Sequence, residues 1–328
     1  MKRGLVLGGG GLVGLGYHAG VLKALDETGL RPAACETIVG TSIGAIVAAY
    51  LCSGRTSEDL YVHALGPHPS VEDPDEAMRA QLHRLFTPLY TGRVEWTRRA
   101  VGGVFASASS RGMWPFGQPP QSLRRAFPSG LYSTDETRRR LREDLPREWP
   151  DRELMISAVE LYLGNRVAFG SDEAPPAALA DAVLASTAIP GVFPPVRVGE
   201  HHYVDGGVFS ATSLDLAVRA GCRSIVCIAP LGYRLDGQAQ RREPGLWAPM
   251  ALRAMFARAL KREVQDARAQ GVKVLVIRPW LTELRAHGTS SMSHHDRRAV
   301  VEGAREGALR LLEDNRRHDA LLALAAAH

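Results

Sequence analysis

Three groups of residues in this chain have types and spacing suited to chemistry. The first is Gly40-Thr41-Ser42-Ile43-Gly44, a G-x-S-x-G string set between the apolar, β-branched run Thr37-Ile38-Val39 and the apolar run from Ile43 to Leu51. A serine with a strand before it and a helix after it stands on a tight turn with its hydroxyl free. Glycines on both sides avoid the clashes that side chains would make there. The N-terminal end of the following helix favours negative charge developing on an attacked carbonyl. Ser42 is therefore the candidate nucleophile, against the alternative of a structural turn in which it only caps the helix.

The second group is the glycine loop after the first apolar run, in which Gly9, Gly11 and Gly14 match G-x-G-x-x-G. That pattern also occurs in dinucleotide-binding folds, but there an acidic residue ends the second strand and holds a ribose. Here the second strand ends Val39-Gly40-Thr41-Ser42, and Glu36 precedes it. In a parallel sheet both loops leave carboxyl ends of strands and face one crevice. The backbone N–H groups of Gly9, Gly10 and Gly11 are then expected to form an oxyanion hole, since no Cβ keeps a substrate carbonyl away. The third group, Asp205-Gly206-Gly207, puts a carboxylate at the end of the short strand His202-Tyr203-Val204.

The elements that must position these groups follow from periodicity. Short apolar runs at Gly4–Leu7, Thr37–Val39, Leu154–Val159, Ser224–Ile228 and Val272–Ile277 predict buried strands. Helical patterns separate them: one carrying Val21, Leu22 and Leu25 and stopping near Gly29, then Ile43–Leu51, Ala177–Thr187, Leu214–Ala220, and a last one from Asp296 to about Leu312. Ser133 and Glu136 predict a capping box for an arginine-rich helix. Alternating strands and helices imply a single α/β domain, three-layer α/β/α, with a mostly parallel central sheet. From about 66 to 130 prolines, glycines and scattered aromatics such as Phe86, Trp96 and Phe127 break the pattern. This segment is expected to be a loop-rich insertion whose aromatics could line an acyl channel as a lid.

Composition narrows the classes. Of 328 residues, 45% are hydrophobic and 23% charged, which is ordinary for a globular chain. No run of 18 apolar residues suggests a membrane span, and the N-terminus lacks the apolar core of a signal peptide, so a cytoplasmic location is expected. Cys35, Cys52, Cys222 and Cys227 form no C-x-x-C pair and have no histidines at zinc spacing, so free thiols and no metal site are expected. A net charge of +5 suits an anionic membrane surface or an acidic substrate. Nucleic acid is the weakest partner class, since no finger, basic zipper or RNA-binding aromatic motif is present. The stretch Trp247–Lys261 alternates apolar residues with Arg253, Arg258 and Lys261. It predicts a core helix with a solvated face, or else a helix lying on an anionic bilayer.

Taken together, the glycine loop Gly9–Gly14, the elbow Gly40–Gly44, the Asp205-Gly206-Gly207 triplet and the stretch Ala185-Ser186-Thr187-Ala188-Ile189-Pro190-Gly191-Val192-Phe193-Pro194-Pro195 resemble a bacterial patatin-like phospholipase. They occur in that family's order across about residues 4 to 230. The resemblance implies a catalytic dyad in which Ser42 attacks an ester carbonyl and Asp205 is its base, with no histidine and no cofactor, acting on a lipid or other acyl ester. One position departs: Val13 stands where many members carry Arg or Lys, which weakens the case for a phospholipid over a neutral ester. Two other arrangements compete with the dyad. One is a Ser–Asp–His triad using His287, His294 or His295; the other is a catalytically silent lipid-binding protein with the same pocket. His201 and His202, flanking the Asp205 strand, are expected to be surface or core residues.

Overall fold

A computed structural model describes residues 1–66, 86–89, 130–234, 247–288 and 296–314. Most of the 66–130 segment, together with His294, His295 and the tail from His318, lies outside the described residues. The chain runs β1 (Arg3–Leu7), α1 (Gly11–Glu27), β2 (Thr37–Thr41), α2 (Ile43–Cys52), α3 (Ser57–Leu65), α4 (Asp135–Asp144), β3 (Glu153–Glu160), β4 (Arg166–Phe169), α5 (Leu179–Ser186), β5 (Val196–Val198) and β6 (His201–Asp205). It continues through α6 (Leu214–Arg219), β7 (Ser224–Ile228), α7 (Trp247–Ala269), β8 (Lys273–Ile277), α8 (Leu284–His287) and α9 (Arg297–Asp314).

Five strands form a parallel sheet in the order β3-β2-β1-β7-β8. Their residues alternate between two cores, as period-two side chains must. Leu5, Leu7, Ile38, Leu154, Ile156, Val226 and Ile228 face one layer of helices, including α1, α2, α5 and α9. Val6, Val39, Met155, Ile225, Cys227 and Val274 face the other, with Leu214 of α6 and Leu260 and Val264 of α7. The three-layer arrangement expected from the strand–helix alternation is thus present. Strands β4, β5 and β6, by contrast, pair antiparallel. The β3–β4 and β5–β6 connections are only five and two residues long (Leu161–Asn165 and Gly199–Glu200), too short for a crossover.

The register of β3 places the site. One edge of β3 pairs with β4 over Ile156–Val159. On the opposite edge β2 ends with Thr41 opposite Ser157, and β6 arrives antiparallel with Asp205 opposite Ala158. The carboxyl ends of β2 and β6 therefore meet nose to nose at consecutive positions of one strand.

Local capping differs from the sequence pattern in one place. Glu136 does not close a box on Ser133; its carboxylate pairs with Arg139 and Arg140, while Ser133 Oγ accepts the Asp135 N–H. The guanidiniums one turn on offer stronger, charge-assisted partners than a backbone amide. A capping box does open α3, where Thr56 Oγ1 accepts from Asp59 N and Asp59 Oδ2 accepts from Thr56 N. In α7, Arg253 belongs to the interior and not to a solvated face: it is buried and donates to the carbonyls of Pro230 and Gly232. All four cysteines are free thiols; Cys35, Cys222 and Cys227 are buried. Among the described residues no helix is long and apolar enough to cross a membrane.

The first turn of α2 packs directly on the end of β1. A Cβ built on Gly44 would lie 2.0 Å from the Leu7 carbonyl oxygen and 2.8 Å from that of Gly8. Both obstacles are backbone, so Gly44→Ala must push α2 off the sheet. The expected loss is about 3 kcal/mol of stability, read as a lower urea midpoint at unchanged m-value. A loss under about 1 kcal/mol would mean that helix and strand are not in this contact.

Candidate active site

Ser42 occupies the turn between β2 and α2 with φ 56° and ψ −127°. A non-glycine residue there carries about 1–3 kcal/mol of backbone strain, and the strain is maintained by the packing of Gly40 and Gly44 on either side. A Cβ on Gly40 would meet the Ala45 backbone at 2.6 Å. The Ser42 hydroxyl donates to Asp205 Oδ2 at 2.6 Å, across 163 residues of sequence. The other carboxylate oxygen, Oδ1, accepts the Gly207 N–H at 2.7 Å. Both side chains are almost wholly buried, Ser42 at 7% and Asp205 at 6% exposure. Burial pushes the Asp205 carboxyl up to about 6, against the opposing pull of the Ser42 and Gly207 hydrogen bonds.

The serine is held by a second set of hydroxyls. Its backbone N–H donates to Ser186 Oγ at 2.9 Å, and Ser186 donates in turn to the Ser157 carbonyl at 2.6 Å. Ser157 Oγ accepts from Ser213, which itself accepts from Thr41. Every one of these side chains is buried. Sequence reasoning assigned Ser157, Ser186 and Ser213 no role, because serines are too common for their spacing to signal a shared network.

The glycine loop lies against Ser42: a Cβ on Gly9 would be 3.3 Å from the Ser42 Cβ. The expectation that Gly9, Gly10 and Gly11 all offer free amides is corrected at Gly9. Its N–H donates to the Ala211 carbonyl at 2.7 Å, so that donor is already committed. The same peptide unit is gripped at its other end, where His18 Nε2–H donates to the Gly8 carbonyl at 2.7 Å. Burial lowers His18 to about 4, which keeps it neutral. The N–H groups of Gly10 and Gly11 have no acceptor among the described residues. They head α1, where the helix dipole adds to their attraction for an anion. Gly10 cannot carry a side chain, since a Cβ would strike Pro230 at 2.8 Å and Gly14 at 2.7 Å. Gly14 faces Ile43, and Gly206 rests on the Ser157 carbonyl. The N–H of Ile43, next after the serine, likewise has no acceptor among the described residues; sequence reasoning had not named it.

With this geometry in view, comparison with known proteins is decisive on one point. The family model described as patatin-like phospholipase matches residues 5–218, which include the glycine loop, Ser42 and Asp205. The chain belongs to the patatin-like phospholipase family. A probable lipid hydrolase, 463L, of Invertebrate iridescent virus 6 is 23% identical over 223 residues, covering 66% of this chain and 63% of its own. The uncharacterized protein YqhO of Bacillus subtilis is 37% identical over 84 residues, 26% of this chain and 25% of that one. The chain thus matches less than two thirds of the length of either relative. Among solved structures, VipD from Legionella pneumophila superposes with a TM-score of 0.43 at 17% identity, covering 95% of this chain and 67% of that one. The type III effector ExoU gives 0.37 at 16%, covering 99% and 54%.

In this patatin-like chain a cavity of about 240 Å³ opens beside Ser42. Its walls are chiefly aliphatic and aromatic: Leu12, Val13 and Leu15 of α1, Ile43 and Ile46 of α2, Leu60, Leu141, Leu184, Ile189 and Phe193. Val13 lies in this apolar wall. Phe86, from the segment read as an insertion, also lines it and stacks on Phe193 at 5.7 Å. Arg140, Asp144 and Arg297 supply charge to the lining. His63 also lines the cavity, whereas those of the histidines weighed from the sequence that are among the described residues are engaged elsewhere. His287 is buried with Nδ1 3.1 Å from the Arg253 guanidinium, and burial and that neighbouring cation push it down to about 3. His201 is exposed, 3.8 Å from Glu160, and His202 packs edge-on against Tyr162. Glu36, the acid weighed for a ribose, pairs with Arg3.

Proposed function

We propose that this protein is a serine-dependent lipid acyl hydrolase of the phospholipase A or esterase type. The observation that carries the proposal is the 2.6 Å hydrogen bond from a strained, buried Ser42 to a buried Asp205 beside an apolar cavity. An ester whose acyl chain fills the cavity brings its carbonyl carbon to Ser42 Oγ. Asp205 takes the hydroxyl proton as the oxygen attacks, and the Gly10 and Gly11 amides stabilise the oxyanion. Collapse expels the alcohol, which receives that proton, and leaves an acyl-serine. Asp205 then deprotonates water, the water attacks the acyl-serine, and the fatty acid departs as Ser42 recovers its proton. A base near pKa 6 is ionised at neutral pH yet basic enough to take part in the transfer. The apolar cavity supports an acyl ester over a small polar one, and the net charge of +5 supports peripheral contact with an anionic membrane surface.

The test is labelling by a fluorophosphonate, whose phosphorus is attacked only by an activated hydroxyl. Mass mapping is expected to find the phosphonyl group on Ser42. An adduct on any other serine, or none, overturns the assignment.

A further inference from the structure

Glu263 lies on α7, outside the groups used above, yet its carboxylate is turned into the protein toward the loop that follows Asp205. Ser210 donates its hydroxyl to one carboxylate oxygen and Thr212 donates to the other. Glu263 is half-buried, and desolvation by its surroundings pushes its carboxyl up from the usual range against the pull of the two hydroxyl donors. The two hydroxyl donors flank a single residue, Ala211. The Ala211 carbonyl is the acceptor of the Gly9 N–H, at 2.7 Å. Gly9, Ala211 and Glu263 also line one small crevice of about 10 Å³, so the clamp and the glycine loop are in direct proximity.

The clamped loop carries other contacts of the site. Ser210 N–H donates to the Gly206 carbonyl at 3.1 Å, and Ser213 N–H donates to Ser210 Oγ at 2.8 Å. Gly207 at its start holds Asp205, and Ser213 at its end reaches Ser157. Moving Ala211 therefore moves the partner of the glycine loop and strains the support of the base together.

We infer that Glu263 is a positioning residue for the oxyanion loop. Through Ser210 and Thr212 it holds the Ala211 carbonyl in place, and that carbonyl keeps the Gly9 amide committed. The Gly8–Gly9 peptide plane is then locked between Ala211 and His18, which sets the direction in which the Gly10 and Gly11 amides follow. The inference rests on the proposed hydrolase reading. Without the clamp, Ala211 and the peptide it holds are free to rotate, and the oxyanion donors lose their preorganised aim.

The experiment uses the full chain with p-nitrophenyl butyrate as substrate, and a trifluoromethyl ketone that forms a tetrahedral adduct on serine as a probe of oxyanion binding. Glu263→Ala is expected to lower kcat about 10–100-fold while KM changes little, and to weaken the ketone in parallel with kcat. Glu263→Gln is expected to restore most of kcat, because the carboxamide accepts from one hydroxyl and donates to the other. Simultaneous Ser210→Ala and Thr212→Val, which removes both donors and keeps the acid, is expected to lower kcat as Glu263→Ala does. That double variant decides the matter if Glu263→Ala does not fold. An unchanged kcat in the folded clamp variants, or an equal fall in KM-independent turnover for Gln and Ala, overturns the positioning role. Ser42→Ala run alongside separates the two ideas. If Ser42→Ala is inactive and the clamp variants turn over like wild type, only the clamp fails. If Ser42→Ala retains turnover, the hydrolase reading fails first.

Discussion

Ser42→Ala is expected to lower ester turnover by about 10⁴-fold or more while leaving the fold in place. On the proposed mechanism the variant lacks the atom that would form the covalent intermediate, and only the background from binding and the proposed oxyanion donors would persist. The fold persists because alanine at φ 56° pays the same backbone strain as serine, and the Ser42 N–H still donates to Ser186. The lost partner is the donor to Asp205 Oδ2, so the carboxyl of the variant shifts still further upward than in wild type. Initial rates on p-nitrophenyl butyrate with a thermal scan of the same samples read both halves of the prediction. Undiminished turnover in a folded Ser42→Ala protein sinks the nucleophile assignment. Were wild type itself inactive on every acyl ester yet able to bind lipid, the silent lipid-binding alternative would stand.

Asp205→Asn should separate activity from stability in opposite directions. Asparagine keeps the shape and one acceptor oxygen but cannot take a proton, so turnover is expected to fall about 10³–10⁴-fold. Stability is expected to rise. The folded-state value of about 6 lies above the ordinary 3.8, so the native protein binds this proton more tightly than the unfolded chain does. Above pH 6 the native state holds an ionised, desolvated carboxylate, which destabilises it by about 1–3 kcal/mol. That destabilisation fades as pH falls through 6 and is gone below about 4. Asp205→Asn is therefore expected to melt higher than wild type at pH 8, with the advantage shrinking by pH 4.5. If Asp205 is the base, as proposed, the same titration is expected in wild-type catalysis: kcat/KM should climb with pH through a midpoint near 6, as the carboxyl becomes ionised. A flat profile from pH 5 to 8, or an Asn variant less stable than wild type at pH 8, contradicts this account of the carboxylate.

Much of the scaffold was legible because the signals are local. Strand–glycine–helix at Leu7–Gly11 and at Thr41–Gly44 follows from short apolar runs interrupted by residues that only a tight turn requires. The strands at Leu154, Ser224 and Lys273 were visible for the same reason. The antiparallel β4 and β5 were not, being four and three residues long, too short for a period-two pattern to mark a strand. Glu136 shows how a valid local motif yields to a stronger neighbour, since its carboxylate went to two arginines instead of the helix end. Arg253 shows the converse, a charge that helical periodicity places outside but that buried carbonyls draw in.

By itself the sequence determined the kind of chemistry available here: a serine on a glycine-flanked elbow, a row of glycines after the first strand, and an aspartate at a strand end, in an order resembling one family. Tertiary structure decided which of these meet and which are already spoken for. Ser42 and Asp205 touch because β6 takes up, antiparallel, the edge of β3 that β2 leaves at Ser157, a matter of register between segments far apart in the chain. The Gly9 N–H is committed to the Ala211 carbonyl, on a loop whose Ser210 and Thr212 hydroxyls bind Glu263, and no local pattern near Gly9 foreshadows a carbonyl two hundred residues away. The division has a physical cause: turn and strand preferences are written in neighbouring residues, whereas a hydrogen-bond partner is chosen by packing among all the groups that compete for it.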